Sequence, residues 1–128
     1  MIKISLLLIS IFSLLYGLVF SFAPFFFAEL TQAEPTNIAW LRNIGASICG
    51  VLFLGLLFVY RSPSKNYDLF MIITVTSILQ TLGLIFSRFF NEFSAQNNLV
   101  IDFTIYSAVF VSLYLVCILL NYKSIFNK

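Results

Sequence analysis

Three charged side chains, Arg42, Arg88 and Asp102, stand at the edges of long apolar runs, and two polar ones, Gln80 and Tyr106, stand within such runs. An ionised group at the centre of a bilayer costs about 2.5–3.5 kcal/mol, and less near its surface. Pairing lowers that cost. Asp102 is therefore expected to contact Arg42 or Arg88, with an N···O distance of about 4 Å or less. Two arginines facing one carboxylate would leave a net positive charge, suited to an anionic head group or a carboxylate. Tyr106 lies four residues beyond Asp102, on the same helical face, so its hydroxyl could join the network. Gln80 carries an amide that its own helix cannot fully satisfy, and it is expected to reach across to a neighbouring helix. These five residues form the candidate ligand-binding set.

Other chemistries lack their residues. The chain contains no histidine, which removes the usual ligand of haem and catalytic zinc and the usual general base. Cys49 and Cys117 both lie inside apolar runs with no Cys-x-x-Cys pattern, and each reads as a small buried hydrophobe. No catalytic residue, metal site or cofactor is identified. The net charge of +2 is too small for a nucleic-acid surface.

The elements that must position the five residues are set by composition. Of 128 residues, 61% are hydrophobic and only 9% are charged, with a mean hydropathy of +1.03. A soluble chain averages about 25% charged residues. One this short has too little interior to hide so much apolar surface, so the bilayer is the expected solvent and partner. Four apolar runs appear, at about residues 4–23, 39–60, 69–88 and 99–120. Each is close to the roughly 20 residues that span hydrocarbon as a helix. Helices satisfy their own backbone hydrogen bonds in lipid. The barrel alternative needs alternating polarity, which is absent. The first run has a faint small-x-small pattern at Ser21-Phe22-Ala23. It is longer than a signal-peptide core and is followed by Pro24, so it is expected to be kept.

The loops are expected at about residues 29–37, 61–67 and 91–98, with turn chemistry at Pro35-Thr36-Asn37 and Ser62-Pro63-Ser64. Loops this short make successive helices antiparallel neighbours. The expected fold is all-α: an integral membrane four-helix bundle, up-down-up-down, forming a single domain over residues 1–128. Lys3, Arg61, Lys65, Lys123 and Lys128 fall on one side, against Arg42 and Arg88 on the other. That bias places both termini in the cytoplasm. Trp40 and Tyr60, near opposite ends of the second run, suit the two interfaces.

Faces follow from periodicity. Ser10, Ser13, Gly17, Ser21 and Pro24 share one stripe of the first helix. Gly45 and Cys49, with Ala46 and Gly50 beside them, form a second stripe. Both are expected to be helix contacts, since small residues allow close approach in lipid. In the third helix Thr74, Ser77, Thr81 and Arg88 share a face, and Thr76, Gln80, Gly83 and Ser87 lie on its flank.

Several of these residues carry a resemblance. Phe25-Phe-Phe-Ala-Glu29 after Pro24, Leu41-Arg42-Asn-Ile-Gly45 opening the second helix, Gly50 and Gly55 within it, and Gly83-Leu-Ile-Phe-Ser-Arg88-Phe closing the third are followed by an acid opening the fourth. The pattern resembles small four-helix bacterial membrane proteins of unknown function, grouped loosely with the DoxX-like proteins. Ala46 stands where that pattern often has a second glycine. The resemblance implies the four-helix fold and a bacterial inner-membrane location, and no reaction.

The leading expectation is a non-catalytic accessory or structural membrane protein. Its partner could be another membrane protein or a second copy. The alternative is binding or transport of a small anionic or lipid ligand through a polar pocket in the outer leaflet. A membrane enzyme acting on a lipid-soluble substrate ranks third.

Overall fold

The computed structural model describes residues 2–32, 38–93, 96 and 98–126. It has four helices long and apolar enough to cross a membrane: Ile2–Phe22, Ile38–Arg61, Tyr67–Phe89 and Asn98–Leu120, the first to fourth spans. No strand occurs among the described residues. The protein is an all-α bundle of four antiparallel spans. The start of the first span, loop two and the end of the fourth span share one side, the terminal side; the end of the first span, the start of the second, the end of the third and the start of the fourth share the far side.

Three local features depart from expectation. Pro24–Thr31 is a short helix, so Glu29 belongs to a helix rather than to loop one. Pro24 lacks an N–H, which interrupts the first span, yet its fixed φ suits the first turn of a new helix. That helix stops at Gln32, whose left-handed conformation (φ 51°) returns its N–H to the carbonyls of Ala28 and Glu29. Within the second span, Ile48–Leu54 is a π-helical stretch. Beyond the fourth span the chain turns into a further helix, Tyr122–Phe126. Pro35-Thr36-Asn37 lies outside the described residues. In loop two, Pro63–Lys65 forms one 3₁₀ turn. Asn66 then donates to the carbonyls of Phe58 and Ser62, at 3.3 and 2.7 Å, and so satisfies carbonyls at the end of the second span.

The core sits at the terminal side. Leu6, Leu56, Val59, Phe70, Ile73, Leu115, Ile118 and Tyr122 form one buried cluster drawn from all four spans and the terminal helix. Tyr122 seals it, donating its hydroxyl to the Pro63 carbonyl and packing against the rings of Tyr67, Phe70 and Phe126. Burial pushes the Tyr122 phenol above its ordinary pKa, which extends to higher pH the range over which it stays protonated as the donor.

The spans are otherwise zipped in pairs. Between the first and second, Gly17 and Gly45 lie back to back. A Cβ on Gly45 would stand 2.7 Å from both the Gly17 carbonyl oxygen and the Ser21 amide nitrogen. Ser10, about two turns below, donates to the Phe53 carbonyl at 2.9 Å. The small-residue seam is therefore present as expected at Ser10, Gly17, Gly45 and Cys49. Ala46 and Gly50 lie outside it and are exposed, and no atom comes within 4 Å of a Cβ built on Gly50. Cys49 is half-buried and Cys117 is exposed, which corrects the expectation that both are buried: Cys117 points away from the neighbouring spans. The third and fourth spans form the second hairpin. The hairpins meet at the terminal side through Gly55, over which Ile73 lies. On the far side the short helix Pro24–Thr31 bridges them, touching both the second and the fourth span.

Candidate functional site

Arg88 is the penultimate residue of the third span, and Asp102 lies four residues into the fourth, about 6 Å along its axis. The antiparallel turn brings them together on the far side. Arg88 Nε donates to Asp102 Oδ1 at 2.8 Å and Nη2 to Oδ2 at 3.5 Å. The pairing is fork to fork, with one short arm and one long arm. The two side chains remain 34% and 36% exposed. This is the expected ion pair, made with the arginine of the adjacent helix.

Arg42 is not part of it. Its Nη1 donates to the Ser21 carbonyl at 2.7 Å. The last carbonyls of a helix have no partner within it and carry the negative end of its dipole. Ser21 stands one residue from the end of the first span, just before Pro24 breaks it. Arg42 opens the span that packs against that end, so it caps the first span instead of reaching Asp102. The expected cluster of three charges thus resolves into an ion pair and a capped helix end.

Tyr106 is 72% exposed, and its hydroxyl makes no hydrogen bond among the described residues. It is on the face of Asp102, as periodicity required, but its ring stands outward. With Ile85, Arg88, Asp102 and Ile105 it lines an open cleft of about 130 Å³. Gln80 is half-buried and likewise makes no hydrogen bond among the described residues. It does not cross to the fourth span. Its place there is taken by hydroxyls: Ser112 bonds both Ser77 and Thr81, each at 2.8 Å. Thr74 satisfies itself on the Phe70 carbonyl at 2.8 Å. Short hydroxyls fit a close helix seam, whereas a glutamine side chain is displaced to its flank.

Ser112 was not singled out from the sequence. The available signal was that it is the one serine or threonine in the second half of the fourth span, opposite a polar third one. A separate groove of about 280 Å³ runs between the first span, the short helix and the fourth span. Phe12, Tyr16, Phe27, Leu30 and Val100 line it, and no charged residue does. No cluster of metal-binding side chains occurs among the described residues.

Together the fold and this geometry define a multi-pass membrane protein whose polar groups are largely used between its own helices. No family model, characterised protein or solved structure matches the chain.

Proposed function

We propose that this is a non-catalytic accessory or structural membrane protein, acting as a scaffold in the bilayer. The observation that carries this reading is the fate of the charges. Arg88 and Asp102 neutralise one another, and Arg42 caps a helix end. The open cleft at Asp102 is lined by neither Gln80 nor Arg42. The bacterial inner membrane is its proposed location, as the DoxX-like resemblance implies, with both termini in the cytoplasm. An exported phosphatase that is active when fused to the C-terminus would overturn that orientation.

A second reading keeps the cleft as a site for an anionic amphiphile. It draws on the half-exposed guanidinium of Arg88 and the open lining by Ile85, Ile105 and Tyr106. One experiment separates the two. Asp102→Asn strands the Arg88 charge and should lower stability by about 1–2 kcal/mol, between the values for exposed and buried pairs. Adding Arg88→Gln should recover part of that loss. The melting temperature in detergent is then measured with and without an anionic lipid such as phosphatidylglycerol. No lipid-dependent rise that Arg88→Gln abolishes is expected; such a rise would replace the scaffold reading with the ligand one.

A further inference from the structure

We propose that the flank of the third span bearing Gln80 is the contact through which two copies of this chain associate in the bilayer. The proposal starts from depth. Ile78 is the midpoint of Tyr67–Phe89, and Gln80 lies only about 3 Å further along the axis. A primary amide there sits in hydrocarbon, where no water can reach its two donors and its acceptor. An unsatisfied polar group in that setting costs several kcal/mol. Yet Gln80 is half-buried and makes no hydrogen bond among the described residues.

The flank is patterned as a contact. Thr76, Gln80, Gly83 and Ser87 follow one another at spacings of four, three and four, which aligns them on one face. Neither hydroxyl on this face has a hydrogen bond among the described residues, in contrast to Ser77 and Thr81 on the adjoining buried face. No atom comes within 4 Å of a Cβ built on Gly83, so the backbone is bare one turn from the amide. The apolar side chains of Ile72 and Leu79 are exposed beside this face. A polar centre, a glycine allowing close approach and an apolar margin are what helix association in lipid uses.

The symmetry of the problem selects a second copy as the occupant. All copies inserted in one direction share the same depth for every residue. A two-fold axis along the membrane normal then places Gln80 of one copy level with Gln80 of the other. An amide is both donor and acceptor, so the two side chains can satisfy each other reciprocally. A different protein would need a matching polar group at that depth independently.

The test uses the full chain, purified and reconstituted in phosphatidylcholine vesicles over a range of protein-to-lipid ratios. Association is read by energy transfer between donor- and acceptor-labelled C-terminal tags. Wild type should follow a monomer–dimer isotherm. Gln80→Leu should weaken association about ten-fold, the equivalent of one interhelical polar contact. Gly83→Leu, filling open space, should abolish it while circular dichroism and melting stay those of wild type. Leu15→Ala, on an exposed face of the first span, should change nothing. A wild type that remains monomeric as it is concentrated overturns the proposal. So does association of unchanged strength in both Gln80→Leu and Gly83→Leu.

Discussion

The two sides of the bundle are built differently. At the terminal side, four spans and the last helix converge on Phe70, Leu115 and Tyr122, all buried. At the far side the two hairpins are bridged by the short helix Pro24–Thr31, and each hairpin is pinned by a polar contact: Arg42 on the Ser21 carbonyl in the first, Arg88 on Asp102 in the second. In lipid, apolar burial carries no hydrophobic reward, because the surrounding tails are equally apolar. The terminal side gains dispersion contacts from dense packing. The far side gains from not leaving charges and helix-end carbonyls unpaired. The terminal side is therefore sensitive to lost volume, and the far side to charge and to added volume at Gly45.

The largest expected effect tests volume. Phe70→Ala should lower stability in detergent or bicelles by about 3 kcal/mol, the low end for a buried aromatic, because only packing is lost. Phe86→Ala, at an exposed far-side position, should be close to neutral. Comparable losses for the two would erase the distinction between the sides. An intermediate effect is expected at the first seam. Gly45→Ala forces a methyl onto the backbone of the first span and should cost about 1–3 kcal/mol through overpacking. Gly50→Ala, facing open space, should be neutral or stabilise by a few tenths up to about 1 kcal/mol. Thermal melts of the pair decide this.

The smallest effect concerns the seal. The folded pKa of Tyr122 is raised by burial. Its contribution is fully present below the unfolded tyrosine value of about 10 and is lost as pH rises through the folded value. The stability advantage of wild type over Tyr122→Phe should therefore hold steady to about pH 10 and shrink above it. A gap that stays constant to pH 11.5 or so would show that the phenol proton does not matter.

Much of this was legible in the sequence. The four spans, their antiparallel order and the seam of Ser10, Gly17 and Gly45 follow from run length, loop length and a period of 3.6 residues. The level shared by Arg88 and Asp102 follows from their distances to the span ends. Depth is a one-dimensional property, and the chain's own order determines it. Azimuth is not. Whether Asp102 faces Arg42 or Arg88, and whether Gln80 or Ser77 meets the fourth span, depends on how each helix is rotated against its neighbours. That rotation is settled by packing between segments distant in sequence. Only the tertiary structure decided that Arg42 caps the first span, that Ser112 completes the hydroxyl seam, that Tyr122 closes the core and that Gln80 is left on an open flank. The physical reason is common to all four: short hydroxyls and glycines let backbones approach, and the longer polar side chains go wherever that approach leaves room.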